Sequence, residues 1–278
     1  MKLNRIYNID AVEWLKKLES NSIDLIVTDP PYRLSKWGSC ETSMQGVLAQ
    51  NWNKIFEFND IHIKDYIFEL YRVLKEDSHL YIMVNTYNLQ EFLNSITEVK
   101  FKIHNLLVWK KSNTIANRYY MKNCEYTIFA YKWKAKNINF CSSQSVHSFK
   151  NPIKGRKHPT QKPIKLMELY IKNSSKPWEI VLDPFAGVGT TLLASQKLDR
   201  DYLGFELDKN YFEIAKNDLE RERIKLEIKN NNLKSFIRKK KINWNSYYYE
   251  VCNYRDKESW KVRQRVIKYL GKNHPVDK

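Results

Sequence analysis

Three short stretches of this chain carry side chains whose types and spacing could do chemistry. The first is Asp29–Pro30–Pro31–Tyr32. A residue before proline is driven into extended backbone, so Asp29 is held stiffly. Two consecutive prolines leave main-chain carbonyls with no N–H competing for them locally. One carboxylate and one carbonyl beside an aromatic ring make a rigid acceptor set, suited to a planar group that carries an NH2. The second stretch is Asp183–Pro184–Phe185–Ala186–Gly187–Val188–Gly189–Thr190–Thr191, with Glu206 following 23 residues after Asp183. Gly187 and Gly189 permit a tight turn and close approach of a ligand to the backbone, and an acidic residue at the position of Glu206 suits a ribose diol. The third is His158–Pro159–Thr160–Gln161–Lys162–Pro163, whose polar groups and following helix start could bind a small carboxylate. Taken singly, D-P-P-Y is equally a strand-ending turn with a capping Asp, and the third stretch is equally a polar loop before a helix.

The elements that must position these groups can be read from apolar patterning. Ser22–Val27 is a short apolar run that the prolines stop, which predicts a buried parallel strand leading into Asp29. Ala11–Leu18 has helical spacing, Ile61–Leu74 reads as an amphipathic helix, and His79–Val84 as a second buried strand. Leu89–Val99 follows as a helix, then Lys102–Trp109 and Tyr126–Trp133 as aromatic-rich strands. Pro163 opens a helix through Asn173, as proline favours a first turn. Ile180–Leu182 is a strand running into Asp183, Gly189–Leu198 a helix, Tyr202–Glu206 a strand and Asn210–Lys229 a long charged helix. Residues 33–59 have no clear period and read as a long loop, a length that is commonly functional. The alternation of buried strands and helices predicts an α/β doubly wound, mostly parallel sheet.

Several chemistries are excluded by pattern. No G-x-x-x-x-G-K-[ST] occurs, so the glycine turn is not the phosphate loop of an NTPase. It is a poor dinucleotide fingerprint too, because position 192 is Leu where a third Gly would stand. The four Cys, at 40, 124, 141 and 252, form no C-x-x-C and no H-x-x-H occurs, which argues against a zinc site or a disulfide scaffold. The N-terminus carries no continuous apolar stretch after its first charges, and no run approaches 18 apolar residues, so neither a signal peptide nor a membrane span is expected.

In one order, D-P-P-Y, a variable basic region, H-P-T-Q-K-P, D-P-F-x-G-x-G-T-T and G-x-E-x-x-x-x-Y (Gly204, Glu206, Tyr211) resemble the β-class amino-methyltransferases of DNA, which use S-adenosylmethionine. The likeness covers roughly residues 3–222. It implies a Rossmann-like methyltransferase sheet. It also implies that Asp29 and the Pro30 carbonyl accept hydrogen bonds from the target amino group, with Pro31 holding the turn and Tyr32 stacking on the extruded base. Phe185, Gly187, Gly189 and Thr190 would line the cofactor site with Asp183 close by, and Glu206 would hold the ribose. Thr160, Gln161 and Lys162 would hold the methionine end, and Asp10 would lie near the adenine of the cofactor. The first letter of D-P-P-Y favours adenine N6 over cytosine N4. A catalytically inactive DNA-binding relative, or RNA as substrate, remains a competing reading. The resemblance further implies duplex DNA as partner, a cognate restriction endonuclease or a homodimer as further partners, and a cytoplasmic location in a prokaryotic cell or as a phage product.

Charge supports a polyanion partner. The chain has 278 residues and a net charge of +17, and the excess is clustered. Residues 97–163 carry a balance of +12, residues 229–278 a balance of +10, and the remainder −5. Clustered Lys and Arg neutralise phosphates and release counterions. Residues 112–157, inside the catalytic segment 1–229, fall where the family keeps its target-recognition region. There Arg118, Lys122, Lys154, Arg156 and Lys157 are candidate DNA contacts. From 233 to 278 the chain becomes basic and aromatic, outside the methyltransferase pattern. Trp260, Val262, Gln264 and Val266 alternate with Lys261, Arg263 and Arg265. That period of two predicts a small β-hairpin with one basic face, an accessory DNA-binding element.

Overall fold

The computed structural model describes residues 1–31, 61–115, 120–134, 136–150, 161–230, 235–242, 245–255 and 262–272. The chain divides into two compact units, Met1–Lys216 and Asn217–Lys278. The first unit is built on an eight-stranded sheet in the order β1-β8-β7-β2-β3-β5-β4-β6. Its strands are β1 (Arg5–Tyr7), β2 (Ile23–Thr28), β3 (Leu74–Val84), β4 (Lys102–Ile115), β5 (Lys122–Tyr131), β6 (Val146–Ser148), β7 (Ile180–Asp183) and β8 (Asp201–Phe205). Neighbours from β1 to β3 run parallel, β5 is antiparallel to β3 and to β4, and β6 is parallel to β4.

Both faces of this sheet are covered, which explains why β2 is apolar almost throughout. Leu25 and Val27 point into a layer with Tyr81, Met83, Leu166, Met167, Tyr170, Ile171 and Ala194. The last five belong to, or pack with, helices α4 (Ile164–Ser174) and α5 (Thr190–Lys197). Ile23 and Ile26 point the other way, into a layer with Leu15, Tyr66, Ile67, Leu70, Phe92 and Ile96. That layer is supplied by α1 (Ala11–Leu15), α2 (Ile67–Val73) and α3 (Leu89–Glu98). The doubly wound reading therefore holds. From β2 the chain moves outward to β3, and from β7 it moves the opposite way to β8, so the order of the sheet reverses between β2 and β7. Ligands of open α/β sheets bind beyond the carboxyl ends of strands at such a reversal. Asp29 and Asp183 stand there.

Three local expectations change. The helix read over Ile61–Leu74 is a 3-10 turn, Ile63–Asp65, followed by α2. The His62 N–H donates to the Asp65 carboxylate at 2.8 Å and caps the start of the turn, and Tyr66, at φ −131°, separates the turn from α2. The strand read from His79 begins at Leu74, because Leu74 pairs with Ile23 before a register shift places His79 opposite Leu25. The C-terminal element is a three-stranded antiparallel sheet in the order β11-β10-β9 rather than a hairpin. Its strands are β9 (Ser235–Ile242), β10 (Asn245–Arg255) and β11 (Val262–Gly271). The additional strand, β9, holds the basic run Arg238–Lys241. The long helix α6 (Lys209–Asn230) spans the division between the two units. No helix among the described residues is long and apolar enough to cross a membrane.

Candidate active site

The parallel register of β2 and β7, Leu25 with Val181 and Ile26 with Leu182, brings the ends of both strands level. The Thr28 hydroxyl donates to Asp183 Oδ1 at 2.8 Å, and the Phe185 N–H donates to the same oxygen at 3.2 Å. Burial pushes the Asp183 carboxyl up to about 6, against the hydrogen bonds of Thr191, Thr28 and the Phe185 N–H. The Phe185 ring meets the buried Tyr66 ring edge-on at 4.9 Å between centroids, which fixes its place at the rim.

The turn after β7 takes left-handed backbone at Gly187 (φ 52°) and Gly189 (φ 78°), a conformation that side chains disfavour. At Gly189 a Cβ would also press on Ala215 Cβ at 2.9 Å. At Gly187 nothing lies within 4 Å of where a Cβ would stand, so the backbone is open there to a ligand. The Gly187 N–H donates to Glu206 Oε2 at 2.7 Å, and the Asp208 N–H donates to Glu206 Oε1 at 2.8 Å. Burial pushes the Glu206 carboxyl up to about 7, opposed by those two N–H groups and reinforced by the Asp208 and Asp183 charges. Thr190 is the first residue of α5. Across from Glu206, Asn8 Nδ2 donates to the carbonyls of Glu206 and Leu207 at 2.8 and 2.9 Å. Two residues on, Asp10 caps α1 by accepting from the Glu13 N–H at 3.0 Å. The structure thus gathers Asp10, Phe185, Gly187, Gly189, Thr190 and Glu206 along adjacent strand ends.

Around Asp29 the arrangement contains more than sequence reasoning found. Pro30 is buried and Asp29 is partly exposed, at 27 % for the side chain. Lys162 Nζ lies 2.5 Å from Asp29 Oδ2 and 3.2 Å from Glu125 Oε2, and Lys111 pairs with the other Glu125 oxygen. Asp29 Oδ1 has no hydrogen-bond partner among the described residues. Burial raises the Asp29 carboxyl, with Lys162 opposing it and Glu125 adding to it. Burial also pushes Glu125 up, but the Lys162 and Lys111 charges together outweigh it and leave its carboxyl below the ordinary range. Lys162 therefore contacts Asp29, whereas the resemblance assigned it to the methionine end. Glu125, Lys111 and Thr28 belong to no motif. Glu125 and Lys111 reach the site because β4 and β5 run on past the last β3 pairing, Val84 with Tyr126, to set Trp109 opposite Glu125, whereas Thr28 is the last residue of β2.

Gln161 stands half-buried beside Lys162, and Pro31 is half-buried after Pro30. Lys122 begins β5 with its ammonium 4.6 Å from the Tyr87 ring centroid. Arg263 and Arg265 lie in β11 opposite Tyr254 and Cys252. Tyr32, Arg118, Lys154, Arg156, Lys157, Thr160 and Lys261 lie outside the described residues, as does the long loop over 33–59.

A family model of N6/N4 methyltransferases, described as DNA methylase, matches residues 23–217. The chain belongs to this DNA methylase family. The methylase is 31 % identical over 238 residues to the Type II methyltransferase M2.MboI of Moraxella bovis, covering 76 % of this chain and 85 % of that one. It is 31 % identical over 249 residues to the Type II methyltransferase M.HinfI of Haemophilus influenzae, covering 78 % and 68 %. Among solved structures it is similar to the M1.HpyAVI–SAM complex, with TM-score 0.58 and 28 % identity over 77 % of this chain and 98 % of that one. The PvuII cytosine-N4-specific DNA methyltransferase has the same fold, with TM-score 0.59 and 16 % identity over 80 % and 91 %.

The methyl donor of this family is S-adenosylmethionine, and the site fits it. Glu206 is a carboxylate whose oxygens each take one backbone donor and keep capacity for hydroxyl donors. The open backbone at Gly187 leaves room beside it.

Proposed function

We propose that the methylase transfers a methyl group to adenine N6 at a specific sequence in duplex DNA, extruding the base to do so. The observation that carries this is Asp29, held by two prolines at the sheet's reversal point, with one carboxylate oxygen engaged and the other unpartnered. An exocyclic ring amine is a weak nucleophile because its lone pair is delocalised into the base. Asp29 and the Pro30 carbonyl, each accepting one amino hydrogen, favour a pyramidal nitrogen with its lone pair free. When bound, S-adenosylmethionine supplies an electrophilic methyl on sulfur. As the N–C bond forms and the C–S bond breaks, the nitrogen sheds one proton, and Asp29 is the acceptor beside it. Orientation does most of the remaining work. Tyr32 stacks on the base, Glu206 grips the ribose, and Phe185 walls the pocket. A base inside a duplex is out of reach of this cleft, so it must leave the stack.

Lys122, with Arg118, Lys154, Arg156 and Lys157, supplies phosphate and base contacts of the recognition region. Lys261, Arg263 and Arg265 in the C-terminal unit add phosphate contacts that carry no sequence information. The Type II names of the relatives support pairing with a restriction endonuclease in a cytoplasmic modification system, with a homodimer as a further assembly. The test is labelled S-adenosylmethionine incubated with the protein and mixed-sequence duplex DNA, followed by nucleoside chromatography. Label in N6-methyladenine is expected. Label in N4-methylcytosine would transfer the reading to cytosine.

A further inference from the structure

Four charged side chains from four places in the chain form one line at the catalytic edge, and D-P-P-Y chemistry uses only the first. Asp29 follows β2, Lys162 precedes α4, Glu125 lies in β5 and Lys111 in β4. The contacts run Asp29 Oδ2 to Lys162 Nζ at 2.5 Å, Lys162 Nζ to Glu125 Oε2 at 3.2 Å, and Glu125 Oε1 to Lys111. The Lys162 side chain is 6 % exposed and that of Lys111 12 %. Ammonium groups so covered need close acceptors, and here those acceptors are carboxylates. At the far end of this line Glu125 pairs with Trp109 across β4 and β5, and Lys111 follows the last regular pair, Lys110 with Cys124.

The prolines fix the Asp29 backbone, but a carboxylate on a stiff backbone still turns about its last bond. The ammonium on Oδ2 stops that turn. It leaves Oδ1 as the oxygen available to an amino group.

We propose that Glu125, acting through Lys162, is a positioning residue for Asp29: Glu125 holds the Lys162 ammonium, the ammonium clamps one carboxylate oxygen, and the other oxygen is thereby presented to the target amine. This rests on the reading of Asp29 as the amine acceptor. Lys111 fixes Glu125 and completes the line. An ammonium in contact favours the charged form of a carboxylate, and a second carboxylate nearby disfavours it. Lys162 and Glu125 therefore bias Asp29 in opposite directions, as their effects on its titration do. The other groups facing Asp29 are Lys111 from β4, which favours its charge, and Asp183 from β7 and Tyr66 before α2, which both feel the Asp29 charge.

The experiment is the pH dependence of kcat/KM for DNA at saturating S-adenosylmethionine, measured on the full chain. Lys162→Met should lower kcat and move the acid limb up by about one pH unit or more, the scale of removing a cation beside a carboxylate. Glu125→Gln should lower kcat too, yet move the acid limb down, because a like charge is removed. Lys162→Arg should return the limb toward the wild-type position. A packing role predicts no such opposite shifts. If Lys162→Met does not fold, the Glu125→Gln and Lys162→Arg profiles decide: a downward limb with Glu125→Gln and a near-wild-type limb with Lys162→Arg are required. The inference is overturned if the limb stays put in the variants that fold, or if Lys162→Met and Glu125→Gln move it the same way. It is also overturned if Lys162→Met only weakens S-adenosylmethionine binding in calorimetry, which would return Lys162 to the methionine end. Asp29→Asn separates the two levels. Wild-type turnover there would remove the acceptor reading itself, whereas a dead Asp29→Asn with unmoved limbs would remove only the role of Glu125 and Lys162.

Discussion

Cofactor affinity should depend steeply on pH, and Glu206 should be the reason. Its carboxyl is pushed up to about 7 by burial, although the Gly187 and Asp208 N–H groups at 2.7 and 2.8 Å favour its charged form. Ribose hydroxyls donate best to a carboxylate, so the ionised form is the one that binds tightly. A group titrating near 7 is about nine-tenths ionised at pH 8 and about one-tenth at pH 6. Where only the ionised form binds well, Kd rises about tenfold over that interval, close to 1.4 kcal/mol. Glu206→Ala removes both the hydrogen bonds and the titration. At pH 8 it should cost about 1–3 kcal/mol of binding, the scale of a missing charge-assisted hydrogen bond, and the variant should show a much flatter profile. Isothermal calorimetry of S-adenosylmethionine binding from pH 8 to pH 6, on both proteins, measures this. The reasoning is refuted if wild-type Kd is constant across the interval, or if Glu206→Ala keeps the wild-type slope.

Further outcomes follow from the same geometry. Asp29→Ala should abolish methyl incorporation while leaving S-adenosylmethionine affinity within about twofold, since that carboxylate serves the base. Paired binding and incorporation assays on one sample would check it, and turnover in the variant would contradict it. Asp183 and Glu206 together should cost the unliganded protein stability as pH rises, outweighing the opposite contribution of buried His79, whose imidazole is lowered to about 4. Asp183 and Glu206 have folded values raised by burial to about 6 and about 7, so their contribution is present below the ordinary carboxylate range and lost as pH rises through those values. Denaturant melts at pH 5 and pH 8 without cofactor read the sign, and greater stability at pH 8 would oppose it. Changing Lys261, Arg263 and Arg265 together to Gln should flatten the slope of log affinity against log salt by about 0.9 for each phosphate no longer neutralised. Site preference should survive, and an altered recognition sequence would show that the C-terminal unit reads bases.

The parts of the site that lie at strand ends were legible because backbone rules place them. Prolines stop β2 and glycines turn the chain after β7, so Asp29, Gly187 and Glu206 could be located from residue type and spacing alone. The line through Lys162 could not. Glu125 and Lys111 sit in ordinary-looking strands, and only the antiparallel β4–β5 pairing past the end of β3 carries them to Asp29. Thr28 escaped notice for a related reason: its partner, Asp183, is 155 residues away. The helix read over Ile61–Leu74 is shorter because Tyr66 leaves the helical backbone after the 3-10 turn and Leu74 is drawn into β3 by its pairing with Ile23. Strand β9 was missed since Arg238–Lys241 lacks alternation, and its pairing with Tyr247–Tyr249 of β10 is a tertiary fact.

Single-molecule sequencing of genomic DNA from a methylation-free host tests the central claim most directly, comparing cells that express the wild-type chain with cells that express Asp29→Ala. N6-methyladenine confined to one recurring sequence is expected in the wild-type sample, and none in the variant. A modified cytosine, an unmodified wild-type genome in cells holding folded protein, or methyladenine that persists with Asp29→Ala would contradict it.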